Sequence, residues 1–257
     1  LVGQWARSPD LRGAEVGVSV VDLASGEGLA AYRAEVPLFA ASLMKLATTA
    51  AALRLLPAET NWTTTILADI HDDEASGPLV LLGQGAPKLT LAQLESLADQ
   101  LSHAGLKRAE DGIMLDRSWC GPSVLPPGFD MKTTDAGYRA QTGALVSNFG
   151  AVGVEVSPSP AGRGLVRVKV DGGRDQIRIR NSAQTVAGSG STIRLRMSAD
   201  PQGESLLEVS GALGRDAESH RERKALVNPD HWTGRVLRSA LRSRGLDVGP
   251  VHFGNLQ

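Results

Sequence analysis

The sequence predicts an α+β protein, and three observations predict it. Three stretches read as helix: 41–56, 91–104 and 229–245. Between and before them lie short runs in which apolar and polar residues alternate, the period of a half-buried strand. Glycine, at 29 of 257 residues, separates these runs with turns. The expected organisation is a first segment at 1–57, an α/β segment at 58–150, a small β-rich segment at 151–224 and a return segment at 225–257.

Residues 14–23 alternate β-branched positions, which predicts a strand. Ala24–Gly28 is a turn, and Leu29–Arg33 pairs back as a hairpin arm. The stretch 41–56 is rich in good helix formers and meets no Gly or Pro before Pro57. Thr63–Asp69 and Pro78–Gly83 read as strands, followed by a tight glycine-rich loop at 83–87. Leu91, Leu94, Leu97, Ala98 and Leu101 have helical spacing, and Gly105 supplies the stop. Gly112–Asp116 is a further strand, and 121–150 is rich in loops. Alternation resumes at 150–156 and again at 166–170, 176–180, 191–197 and 205–210. The arginines of these last runs fall on alternate positions and so share a face, read first as a solvated strand face and second as a docking surface for an anionic polymer. Asp247–Phe253 is read as a final strand.

Composition narrows the function classes. Charged residues are 21% and hydrophobic residues 42%, which is globular composition. A net charge of −1 and aromatics at 4% give no support for nucleic-acid binding. The loop at 83–87 lacks the lysine-bearing phosphate cradle of nucleotide-binding loops. Cys120 is the single cysteine, which excludes an intrachain disulfide; beside Trp119 it reads as a small buried hydrophobe. His71, His103, His220, His231 and His252 form no local ligand spacing, so neither a metal nor an organic cofactor is expected. No apolar run reaches the ~18 residues of a transmembrane helix. The start at Leu1 rather than Met fits a chain whose leader peptide has been removed.

The richest chemical signal is Ser42-Leu43-Met44-Lys45. A serine at the start of a helix and a lysine three residues on share one face, one turn apart. A neutral lysine amine can then take the serine's proton, and the helix start favours negative charge developing there. That is the construction of a Ser–Lys acyl-transfer enzyme. Alone the tetrapeptide is weak: chance matches are frequent, and the same residues read as an N-cap serine followed by a surface lysine.

Five stretches, in order, resemble the penicillin-binding-protein-4 type of D-alanyl-D-alanine carboxypeptidase/endopeptidase. They are Gly17–Glu27; Phe39–Leu46, with Ala40 where proline is usual; Leu81–Leu89, with Ala86 in place of an acid; Gly112–Ser118; and Pro127–Asp130 with Tyr138-Arg139-Ala140, Gly143-Ala144-Leu145 and Ser147-Asn148. The resemblance implies the first part of a penicillin-binding transpeptidase/β-lactamase-like domain, carrying an inserted α/β domain and a small β-rich domain. It implies that Ser42 is the nucleophile and Lys45 the general base. The implied substrates are peptidoglycan peptides ending in D-Ala-D-Ala, with β-lactams as acylating inhibitors, and the implied location is the cell envelope.

The family's S-x-N and K-T-G motifs are not found. Lys132-Thr133-Thr134 breaks the second pattern, and Trp232-Thr233-Gly234 lacks its cation. The expectation is therefore the front part of such an enzyme, with a C-terminal remainder of the same protein as partner. Two alternatives stand beside it. One is a non-catalytic envelope binding or scaffold protein of the same fold. The other is a β-lactamase or esterase with an S-x-x-K site, where Ser102-His103-Ala104 occupies the place of the class A S-D-N motif.

Overall fold

The computed structural model describes residues 1–129, 134–173 and 176–256. Two compact units divide between Thr60 and Asn61.

The first unit holds a short helix α1 (Val2–Trp5), a hairpin of β1 (Val18–Val21) and β2 (Gly28–Tyr32), and helix α2 (Met44–Leu55). β1 and β2 pair antiparallel from Val18 against Tyr32 to Val21 against Gly28. The hairpin turn is tied by Asp22, whose Oδ1 accepts the backbone N–H of Ala24 and Ser25 and the Ser25 hydroxyl. These donors, the Ser25 amide first, hold the Asp22 carboxyl below its ordinary pKa.

The second unit begins with strands β3 (Thr64–Leu67), β4 (Ile70–His71), β5 (Glu74–Ala75) and β6 (Leu79–Gly83). Helix α3 (Leu91–His103) and strands β7 (Arg108–Ala109) and β8 (Ile113–Asp116) follow. After the β-rich segment come α4 (Pro229–Ser243), β18 (Asp247–Val248) and β19 (Val251–Gly254). One sheet has the order β19-β8-β6-β3, with β8 parallel to both β19 and β6, and β3 antiparallel to β6. A smaller sheet runs β18-β7-β5-β4. The last expected strand is thus two strands in two sheets, because Gly249-Pro250 breaks the ladder between them.

Helix α3 starts at a capping box of Thr90 and Gln93, and Gly105 beyond its end takes a φ of +89° that only glycine adopts freely. Helix α4 packs on α3, β8, β18 and β19. Leu79, Leu81, Leu94, Ile113, Leu115, Leu237 and Leu241 are all fully buried between these helices and strands. At about 1.5–3 kcal/mol for each such side chain, this layer is a main source of the unit's stability.

The β-rich part holds β9 (Ala151–Ser157), β10 (Gly164–Leu165), β11 (Arg167–Val170), β12 (Arg178–Asn181), β13 (Gln184–Val186), β14 (Arg194–Ala199), β15 (Ser205–Ser210), β16 (Ala212–Gly214) and β17 (His220–Ala225). They form three small sheets, β11-β9-β17, β12-β15-β14 and β10-β13-β16. Alternation sets their faces: Leu195 and Met197 are buried while Arg194 and Arg196 are exposed.

β17, His-Arg-Glu-Arg-Lys-Ala, carries no apolar alternation, yet Lys224 within it is buried. Its ammonium lies 3.0 Å from Asp135 Oδ1 and 2.7 Å from Glu222 Oε1. Burial alone lowers the lysine's pKa, and the bonds to Glu222 and Asp135 outweigh it, so the net shift is upward. Asp135 Oδ2 also accepts the Met197 N–H at 2.6 Å, which fastens the loop after Thr134 to both β14 and β17.

Candidate active site

Ser42 lies in a 3-10 turn, Ala41–Leu43, that runs directly into α2. The helix proper starts at Met44, two residues later than Ser42, so the serine is in the tighter turn ahead of the helix rather than at its N-cap. Ala41, just before it, has φ +44°, a left-handed conformation that a residue with a Cβ adopts at a cost of roughly 1–3 kcal/mol. The Leu43 amide closes the turn onto the Ala40 carbonyl at 2.8 Å. The Lys45 amine donates to Ser42 Oγ at 2.9 Å, the contact expected of two residues on one helical face. Both side chains are exposed.

Helix α2 is unusual in its surroundings. No residue of it is buried, and Leu46, Leu53 and Leu55 are 71%, 81% and 76% exposed. Spaced among Lys45, Thr48, Thr49 and Arg54, these leucines gather on no single face of the helix.

In the second unit, the third, fourth and fifth motif stretches converge. The Gly85 N–H donates to the Ala144 carbonyl at 2.9 Å, and the Asn148 N–H to the Leu89 carbonyl at 2.8 Å. At Gly83 a Cβ would stand 2.2 Å from the Ala144 carbonyl oxygen, so only glycine permits this crossing. Ser147 and Thr233 hydroxyls share a hydrogen bond of 2.7 Å, fully buried, which joins the fifth stretch to α4. Trp232-Thr233-Gly234 is therefore the buried face of a helix. Asp116 of the fourth stretch is buried and accepts the N–H groups of Ser118 (2.8 Å) and Leu256 (2.7 Å). Burial raises its pKa, but these hydrogen bonds prevail and hold the carboxyl below its usual range.

Two sequence readings meet limits here. Cys120 is exposed, not buried: it follows Trp119, itself 64% exposed, in a turn closed by Gly121 N–H to the Arg117 carbonyl. Asp130 of the fifth stretch, and Lys132 and Thr133 of the broken pattern, lie outside the described residues.

Residues 2–251 match the D-Ala-D-Ala carboxypeptidase 3 (S13) family of peptidases. The chain belongs to the D-Ala-D-Ala carboxypeptidase 3 (S13) family. Among relatives of this S13 chain, a D-alanyl-D-alanine carboxypeptidase of Actinomadura sp. (strain R39) is 31% identical over 257 residues, 96% of this chain and 47% of that protein. Carboxypeptidase Rv3627c of Mycobacterium tuberculosis (strain ATCC 25618 / H37Rv) is 27% identical over 159 residues, 57% of this chain and 33% of that protein. In structure, the S13 chain resembles penicillin binding protein 4 (dacB) from Haemophilus influenzae with a TM-score of 0.72 at 21% identity, over 94% of this chain and 54% of that one. The same protein complexed with a novel β-lactam (CMV) gives 0.66 at 21% identity, over 95% of this chain and 52% of that one. The α+β fold with penicillin-binding-protein architecture is thereby established. The S13 chain spans about half the length of the relatives it matches.

Proposed function

We propose that this chain carries the nucleophile and the base of a serine D-alanyl-D-alanine carboxypeptidase/endopeptidase acting on peptidoglycan stem peptides. The observation that carries the reading is the 2.9 Å contact of Lys45 Nζ with Ser42 Oγ in a member of the S13 family. Lys45 Nζ, as the base, takes the hydroxyl proton as Ser42 Oγ attacks the carbonyl of the penultimate D-alanine. The peptide C–N bond breaks, the proton passes to the departing amine, and D-alanine leaves. Water then hydrolyses the ester on Ser42. A β-lactam acylates the same oxygen and is released slowly.

The rest of the site is proposed to come from a C-terminal remainder of the same protein, supplying the S-x-N and K-T-G groups and covering α2. The length of the relatives and the exposure of α2 support this. We further propose the division into a first catalytic segment at 1–57, an inserted α/β domain at 58–150, a small β domain at 151–224 and a return segment at 225–257. The envelope is the proposed location, since the proposed substrate lies there. Among the described residues no helix is long and apolar enough to cross a membrane.

The test is covalent labelling of the full-length protein with a penicillin, read by intact mass. One adduct is expected on the native protein and none on Ser42→Ala. Equal labelling of both would overturn the assignment. Ala86 in place of the family's acid favours a second reading, a non-catalytic scaffold of this fold; that reading requires no adduct on a natively folded protein.

A further inference from the structure

The sheet β12-β15-β14 presents its outer face to solvent, and the alternation of its strands gathers cations there. Arg178 and Arg180 project from β12, and Arg194 and Arg196 from β14. The two strands flank β15, so the rows stand roughly 10 Å apart, and within a row the arginines repeat about every 6.7 Å. A groove of about 650 Å³, open to solvent, lies on this face beside β17.

The charges lining the groove are Arg180, Arg194, Arg196 and Lys224 against Glu208 and Glu222. Pairing among them is uneven. Glu208 sits opposite both Arg180 and Arg196 in the ladder, yet its carboxylate goes to Arg180 at 2.8 Å. Glu222 is taken by Lys224 at 2.7 Å, with Asp135 behind that same lysine. Arg178, next along β12, faces Asp200 at 3.3 Å. Arg194 and Arg196 are left without an acidic partner among the described residues. Both are exposed, while Leu195 between them is buried and fixes their backbone on the sheet. Ser210, opposite Arg194 in the ladder, also lines the groove, as does Ser182, whose hydroxyl donates to the Val209 carbonyl.

We propose that this groove binds a linear polyol-phosphate polymer, a phosphodiester chain without bases, in keeping with aromatics at 4%, with Arg194 and Arg196 each gripping one phosphate. Three features support a chain of phosphodiesters over a single small anion. The groove is open along the sheet rather than closed into a pocket. The free guanidiniums repeat at the strand period, which suits successive charges on an extended chain. A phosphodiester keeps two free oxygens in a tetrahedral arrangement, so one phosphate can meet the β14 row on one side and a serine hydroxyl or the β12 row on the other; guanidinium forks match such oxygens in pairs. The site involves neither Ser42 nor Lys45, and stands or falls apart from the catalytic reading.

The test is binding of a fluorescent poly(glycerol phosphate) oligomer to the full-length protein, read by anisotropy across a salt series. Arg194→Ser combined with Arg196→Ser is expected to weaken binding tenfold or more. It should also make the log–log salt dependence about two units shallower, roughly one per lost phosphate contact. A control, Lys107→Ser combined with Arg242→Ser, removes the same charge outside the groove and is expected to change affinity less than twofold. Equal losses from the two double variants would reduce the effect to net charge and overturn the proposal. So would absence of binding to the native protein, or binding of poly-glutamate as tight as that of the phosphodiester. An unchanged melting curve and unchanged far-ultraviolet circular dichroism would show that the groove variants remain folded.

Discussion

Lys224→Met tests the buried ion cluster that ties the loop after Thr134 to the β-rich part. Methionine keeps nearly the volume of the lysine stem, so the change removes charge without opening a cavity. Lost are two charge-assisted hydrogen bonds, 3.0 Å to Asp135 and 2.7 Å to Glu222, each worth roughly 1.5–3 kcal/mol in a buried setting. The two carboxylates are 23% and 41% exposed, so water recovers part of what they lose. A net cost of about 2–3 kcal/mol follows. For a unit of this size that is a fall in melting temperature of about 4–12 °C. Trp232 provides the readout: it is 2% exposed, whereas Trp5, Trp62 and Trp119 are 57%, 44% and 64% exposed. Urea unfolding followed by tryptophan emission therefore reports mainly on the core beneath α4. Asp135→Asn retains an acceptor for the Met197 N–H, and completes a double-mutant cycle expected to show a coupling of at least about 1 kcal/mol. The pH dependence has a defined sign. The pKa of Lys224 is raised by folding, so its contribution is complete below about pH 10.4 and fades as pH climbs through the higher folded value. Additive effects of the two substitutions, or a cost under about 0.5 kcal/mol, would refute the cluster's role.

Three further outcomes are expected. Lys45→Ala should slow penicillin acylation by roughly 10²–10⁴-fold with an unchanged melting curve, since the side chain is exposed; a rate within threefold of native would remove Lys45 from the mechanism. Gly234→Ala should destabilise by about 1–3 kcal/mol despite alanine's better helix propensity, because its Cβ would stand 2.6 Å from Val251 Cγ1 and 2.9 Å from Leu115 Cδ2; a gain in stability would show that α4 has room to move. Asp116→Asn should flatten the acid limb of the stability curve. The Asp116 carboxyl has a lowered pKa when folded, so its contribution is full above about pH 4 and drains away as pH falls through the lower folded value; an unaltered acid limb in chemical denaturation would contradict this.

Much of the architecture was legible because strong periods wrote it. Leu91 to Leu101 gave α3 nearly to the residue, and the alternating Arg194-Leu195-Arg196-Met197 gave β14 with its faces assigned correctly. The S-x-x-K spacing foretold the contact between Ser42 and Lys45. Other parts carried no such signal. β17 consists of charged residues on both faces, and Lys224 is buried by tertiary partners that local pattern does not reveal. The two-residue strands β4, β5 and β7 are too short to show a period. Cys120 was misread because burial preference is a property of cysteine on average, while the turn at 118–121 faces outward. The 3-10 geometry at Ser42 escaped for a similar reason: helix formers run straight through Ala41–Leu43, and the left-handed Ala41 is a backbone choice without a residue signature.

The crossing of Gly83 over the Ala144 carbonyl has a mechanical meaning. Two backbones in direct touch, with nothing compressible between them, cannot slide or breathe independently. Displacement at the 83–87 turn is handed on to 143–148 and from there, through the Ser147–Thr233 clasp, to the long final helix. These contacts build this part of the second unit as a brace instead of a hinge.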